Sequence, residues 1–144
     1  MSTASVAAGQ KKKILVVDDN PIILKTLFMK LRGAGYEVIA AQDGAEGVAA
    51  ARKQKPDLVL LDIVFPPEVS GVPWDGFKLM TWLQRLDKSR HLPIIIITGE
   101  MEEKQKQRAL ANGAIGFFTK PINFDALLDT IRVALSDQAP AAAR

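Results

Sequence analysis

Four apolar runs in this chain are followed or closed by residues that can do chemistry. Ile14 to Val17 leads to Asp18 and Asp19, Leu58 to Leu61 to Asp62, Pro93 to Ile97 to Thr98, and Ile115 to Thr119 to Lys120. Solvated charges placed at random would not fall at the same phase of four separate runs. Three carboxylates converging on one small pocket repel one another unless a cation neutralises them, and an all-oxygen ligand set suits Mg²⁺ or Mn²⁺. A lysine and a hydroxyl beside such a site offer a point positive charge and a hydrogen-bond donor, which the equatorial oxygens of a phosphoryl group need. Asp62 stands alone after its run and is the best-placed nucleophile; aspartyl phosphate is an established form of covalent catalysis. Asp18 and Asp19 also suit the positive end of a helix, and their phasing with Asp62 and Lys120 favours the chemical reading.

These residues meet only if the runs are strands of one sheet. Apolar segments of strand length alternate with longer segments of helical period, the pattern of a parallel sheet with crossover helices. Ile14 to Val17 is the first strand. Asn20 and Pro21 start a helix, since Asn caps free N–H groups and Pro suits the first helical position. Ile23, Leu24, Leu27, Met29 and Leu31 supply its apolar face until Gly33 and Gly35 end it. Tyr36 to Ala41 reads as the second strand, and Asp43 to Gln54 as a capped, alanine-rich helix closed by Pro56. Leu58 to Leu61 is a third strand, apolar throughout as a strand covered on both faces should be. A Pro- and Gly-rich loop from Val64 to Trp74 precedes a helix capped by Asp75, with Phe77, Leu79, Met80, Leu83 and Leu86 on its apolar face. Pro93 to Ile97 is the fourth strand, about Glu102 to Ala111 a more polar helix ended by Asn112-Gly113. Ile115 to Thr119 is the fifth strand and Phe124 to Leu135 the last helix, burying Leu127, Leu128, Ile131 and Leu135. This predicts a doubly wound α/β sandwich whose right-handed crossovers align all strand C-termini along one edge, where such folds bind ligands.

The 144 residues suit one domain, with tails expected at 1–10 and 138–144 around a folded unit at 11–137. The absence of cysteine removes disulfides, thiolate metal sites and cysteine nucleophiles. No signal-peptide pattern opens the chain, and runs such as Ile94 to Ile97 fall far short of the roughly 20 residues that span a bilayer. A cytoplasmic protein with no membrane contact is expected. The net charge of +3 is spread over Lys11 to Lys13, Lys53, Lys55, Arg85, Lys88, Arg90, Lys104, Lys106 and Arg108, without the concentrated stripe or motif of a nucleic-acid surface. No G-x-G-x-x-G follows the first strand, against dinucleotide binding. His91, with no companion histidine or nucleophile, reads as an exposed loop residue, and Trp74 and Trp82 as packing residues.

Taken in order, Val16-Val17-Asp18-Asp19-Asn20, Leu60-Leu61-Asp62, Pro93 to Thr98 with Gly99, and Lys120-Pro121 resemble the receiver domain of two-component response regulators. The resemblance covers about Lys13 to Leu135. It implies a flavodoxin-like five-stranded parallel sheet of order 2-1-3-4-5 with helices on both faces, the order for which a chemotaxis receiver is itself a standard example. It further implies that Asp62 is the phosphoacceptor, that Asp19 binds the metal directly and Asp18 directly or through water, and that Asp62 and the Val64 carbonyl complete the protein ligands. Lys120 would pair with the carboxylate and then with the phosphoryl group, across a peptide bond to Pro121 that is usually cis in receivers. Thr98 would move toward the phosphoryl oxygen, and Phe117 would change rotamer with it.

By the same resemblance the phosphoryl donor is a histidine kinase or histidine phosphotransfer protein. A downstream protein would meet the fourth helix, fifth strand and fifth helix. Two features depart from the family pattern or bear on it. The loop from Ile63 to Trp74 is longer than usual by about six residues, which makes it a candidate for access or partner contact. Glu100, two residues beyond Thr98, is placed to affect attacking water. The competing reading is a metal-dependent phosphatase or phosphotransferase acting on small molecules through the same aspartyl chemistry. Enzymes of the haloacid-dehalogenase type carry a second acid two residues after the nucleophile, and here that residue is Val64.

Overall fold

Lys13–Val17 (β1) is the strand around which the sheet is built, because both of its long edges are occupied. It pairs in parallel with Glu37–Ala41 (β2) on one side and with Leu58–Leu61 (β3) on the other. Ile94–Thr98 (β4) lies beyond β3 and Gly116–Thr119 (β5) beyond β4, giving the order β2-β1-β3-β4-β5. The helices are Pro21–Gly33 (α1), Gly44–Gln54 (α2), Gly76–Arg85 (α3), Glu103–Ala111 (α4) and Phe124–Ser136 (α5). The computed structural model describes residues 11–62, 76–86, 91–99 and 103–136. The expected tails at 1–10 and 138–144, the loop from Val64 to Trp74, the Asp75 cap, and Glu100 lie outside the described residues.

Side chains that alternate across the pleat divide the core in two. Leu15, Val17, Val59, Leu61, Ile94 and Ile96 face one layer, packed with Val48 and Ala51 of α2, Phe77, Leu79, Met80 and Leu83 of α3, and Ala109 of α4. Ile14, Val16, Leu58, Leu60, Ile95 and Ile97 face the other, packed with Leu24, Leu27 and Leu31 of α1 and Leu127, Ile131 and Leu135 of α5. The inner strands β3 and β4 are buried at every position. Each fully buried leucine or isoleucine there contributes about 1.5–3 kcal/mol of transfer free energy.

The edge strands differ from the uniformly covered strands that the apolar runs suggest. β2 alternates exposed and buried positions, and all four residues of β5 are only half-buried. Among the described residues each pairs with a neighbour on one side only, so part of its surface faces outward.

Element ends follow local chemistry. Asn20 caps α1, accepting N–H groups from Ile22 at 2.9 Å and Ile23 at 3.4 Å, and Pro21 takes the first helical position, where its missing donor costs nothing. Asp43 caps α2 by accepting the Glu46 N–H at 2.8 Å. α4 ends at Asn112-Gly113, and only Gly113 takes positive φ (100°); the Asn112 side chain instead donates to the Arg108 carbonyl at 2.7 Å. α4 buries only Ala109 and is also held by the Arg108 guanidinium, which lies over the Phe77 ring of α3 at 4.1 Å.

Two apolar assignments are corrected. Met29 is 64% exposed rather than part of the α1 core face, because Leu24, Leu27 and Leu31 fill that face and Met29 lies two residues off it. Trp82 is 51% exposed rather than buried in the core, since Met80 and Leu83 turn inward on either side of it.

Candidate functional site

Register alone brings the chemical residues together. Val17 is level with both Ala41 and Leu61, so the next residues, Asp18 and Asp62, leave adjacent strands side by side. The Asp62 N–H donates to the Val17 carbonyl at 3.0 Å, and the Asp18 N–H to the Ala41 carbonyl at 3.0 Å. Thr98 is level with Thr119 at the end of the β4–β5 pair, and the Lys120 N–H donates to the Thr98 carbonyl at 2.8 Å. Lys120 thus begins where the last ladder ends. Its peptide bond to Pro121 is cis, as the resemblance implied.

The side chains form one charged cluster. Asp18 is fully buried and Asp62 only 4% exposed. The Lys120 ammonium donates to Asp62 Oδ2 at 3.1 Å and lies 2.9 Å from Asp18 Oδ2, as a charge contact off the hydrogen-bond axis. The other Asp18 oxygen, Oδ1, accepts the backbone N–H of Asn20 at 2.9 Å. Burial is the largest single influence on the Lys120 ammonium and works to lower its pKa. The contact with Asp18 and the charges of Asp62 and Asp18 outweigh it, leaving the pKa above its ordinary value. Lys120 is therefore a cation at neutral pH.

Among the described residues, the one ammonium paired with these acids does not balance them. Asp18, Asp19 and Asp62 each offer a carboxylate oxygen, and these atoms all lie within 4.8 Å of one another. Asp18 Oδ2 is buried, and among the described residues no hydrogen-bond donor is aligned on it. Hard oxygen donors at this spacing, with negative charge in excess, fit a Mg²⁺- or Mn²⁺-sized cation.

The structure brings together Asp18, Asp19, Asp62 and Lys120 and places buried Thr98 on the adjoining strand end. Phe117 is half-buried on β5 and packs on the core layer that also holds Phe77 and Ala109. Val64 lies outside the described residues. His91 is exposed, as the sequence implied. Sequence reasoning treated Asn20 only as a helix cap and missed its N–H bond to Asp18; its position directly after the acidic pair is the one signal that pointed there.

The chain is similar to known proteins in sequence and in fold. The profile described as "Response regulator receiver domain" matches residues 14–132. The chain is 37% identical over 124 residues to protein PilH of Pseudomonas aeruginosa, covering 86% of this chain and 98% of the relative. It is 32% identical over 126 residues to the polar-differentiation response regulator DivK of Brucella anthropi, covering 88% and 98%. Among solved structures, chemotaxis protein CheY4 of Vibrio cholerae superposes with a TM-score of 0.76 at 32% identity, covering 87% of this chain and 99% of that one.

Proposed function

The chain belongs to the response regulator receiver domain family, and on that basis we propose that it is a phosphoacceptor module, folded over 11–137, in which Asp62 takes a phosphoryl group from a phosphohistidine. The observation that carries this reading is the excess of carboxylate over ammonium at the end of β1 and β3, with the acid oxygens within 4.8 Å of one another.

In the proposed reaction an Asp62 carboxylate oxygen attacks the phosphorus in line. The O–P bond forms as the N–P bond of the donor breaks, and the imidazole leaves with the electron pair and takes up a proton. Lys120, already 3.1 Å from Asp62 Oδ2, neutralises negative charge on the group being transferred. The Thr98 hydroxyl supplies a donor to a phosphoryl oxygen. Asp18, Asp19 and Asp62, with the Val64 carbonyl, would hold Mg²⁺ or Mn²⁺, which bound there supplies positive charge to the phosphoryl oxygens. The donor supplies the free energy, so the chain acts as a signalling module that catalyses only its own phosphorylation and dephosphorylation.

Phosphorylation then biases a two-state surface formed by α4, β5 and α5, with Phe117 turning as Thr98 moves. The small buried share of α4 supports this part of the reading, because a helix that buries only Ala109 costs less to shift than one with a full apolar face. The partners are a histidine kinase or phosphotransfer protein and a downstream protein in the cytoplasm. Among the described residues no helix is long and apolar enough to cross a membrane.

The test is incubation with acetyl phosphate, with and without Mg²⁺, followed by intact-mass measurement. A gain of one phosphoryl group that requires the metal is expected. No gain with the metal present would overturn the reading.

A further inference from the structure

Asn20 is exposed, yet its backbone N–H bonds directly to the fully buried Asp18. Its side-chain Oδ1 accepts the Ile22 N–H at 2.9 Å and the Ile23 N–H at 3.4 Å, which closes the first turn of α1 and holds Asn20 in extended backbone geometry (φ −89°, ψ 112°). In that geometry its own N–H points back at Asp18 Oδ1, 2.9 Å away. The Asp18 backbone is already fixed, because its N–H is bound to Ala41. The remaining freedom is rotation of the carboxylate, and that terminal torsion is a soft one.

With Oδ1 held by Asn20, Oδ2 is the oxygen presented to Lys120 at 2.9 Å. Lys120 in turn reaches Asp62 Oδ2 at 3.1 Å. Three contacts therefore run from a surface cap to the oxygen of the proposed nucleophile.

We propose that Asn20 is a positioning residue for phosphoryl transfer, setting the orientation of the Asp18 carboxylate and, through it, the place of the Lys120 ammonium. The inference rests on the phosphoacceptor reading above. Without the cap the first turn of α1 loosens, the Asn20 N–H no longer points in one direction, and the carboxylate rotates. Lys120 then divides its contacts differently between Asp18 and Asp62. Transfer slows because the reacting groups are less well placed, an effect to which such reactions are steeply sensitive.

A cap that served stability alone would behave like Asp43, which caps α2 through Glu46. Among the described residues no hydrogen bond or ion pair joins Asp43 to Asp18, Asp62 or Lys120. Asp43 is thus a matched control.

The experiment measures initial rates of phosphoryl uptake from acetyl phosphate at saturating Mg²⁺, well below every melting temperature, for wild type, Asn20→Ala, Asn20→Ser and Asp43→Ala. Both alanine variants are expected to melt about 2–4 °C lower. Asn20→Ala should take up phosphoryl groups roughly tenfold more slowly, while Asn20→Ser, which restores a capping oxygen, should come within about twofold of wild type. Asp43→Ala should keep the wild-type rate. An Asn20→Ala rate equal to wild type, or an equal slowing in Asp43→Ala, would overturn this inference alone. A wild-type chain that takes up nothing would overturn the phosphoacceptor reading, and the inference with it.

Discussion

Two aspartates bracket the four-residue strand β3, and the fold uses them in opposite ways. Asp57, just before the strand, accepts the Lys13 N–H at 2.8 Å and donates its own N–H to the Lys13 carbonyl at 2.8 Å. That exchange pins the starts of β1 and β3. Asp62, just after the strand, faces two further acids and shares the Lys120 ammonium with one of them. At the first end a carboxylate is matched by a donor the fold supplies; at the second the acids outnumber the ammonium that serves them. What marks the chemical end of the sheet is this imbalance, since aspartates stand at both.

The largest way to break the contrast is to remove the ammonium. Lys120→Met should slow phosphoryl uptake by about 100-fold or more, as loss of a charge-stabilising donor does. It should also destabilise the metal-free chain by about 2 kcal/mol in urea unfolding, less than a fully buried pair would cost because Lys120 is 20% exposed. Mg²⁺ should then recover part of that loss. A divalent cation is the next lever. At about 100 times its dissociation constant Mg²⁺ should stabilise wild type by about 2.7 kcal/mol, and Asp19→Asn or a chelator should remove most of that gain. A wild-type melting temperature indifferent to Mg²⁺ would count against the metal site.

Asp57→Ala should sharpen the comparison from the other end. Loss of a part-buried bond to a charged acceptor should cost about 1.5 kcal/mol in urea unfolding, with phosphoryl uptake within about twofold of wild type. A larger loss of uptake would mean that the two ends are not separate.

The smallest effect concerns Tyr36, the one tyrosine of the chain, beside the start of β2. Burial raises its pKa, with the nearby Arg132 charge opposing. The folded state therefore keeps the phenolic proton to higher pH than the unfolded chain. Its contribution to stability is present below the ordinary value of 10.0 and is lost as pH rises through the folded value. Lys120, also raised, acts in the same direction, with a contribution present below 10.5 and lost above it. Ultraviolet titration should show Tyr36 ionising later in the native chain than in urea; coincident curves would contradict this.

The inner sheet was legible in the sequence because β3 is apolar at every position and β4 at all but its last, and residues that close such runs must emerge at one edge of a parallel sheet. The grouping of Asp18, Asp62 and Lys120 followed from that phase. The edge strands were less legible, since their apolar content is like that of inner strands and only pairing shows that one side is open. β4 begins one residue later than read, at Ile94, because Pro93 has no N–H to give and serves through its carbonyl, which accepts the Val59 N–H at 3.0 Å. It ends at Thr98, as the sequence implied, and the Thr98 carbonyl accepts the Lys120 N–H. Met29 and Trp82 misled because hydrophobic character alone does not say which side of a helix is full. The Asn20–Asp18 bond was hidden for another reason: it uses a backbone N–H, which every residue but proline carries.

The central claim is that Asp62, and not Asp57 or either acid of the Asp18-Asp19 pair, carries the phosphoryl group. Intact-mass measurement of wild type and Asp62→Ala after acetyl phosphate and Mg²⁺ tests it directly. A gain of one phosphoryl group is expected in wild type and none in the variant; a gain retained in Asp62→Ala would contradict the claim.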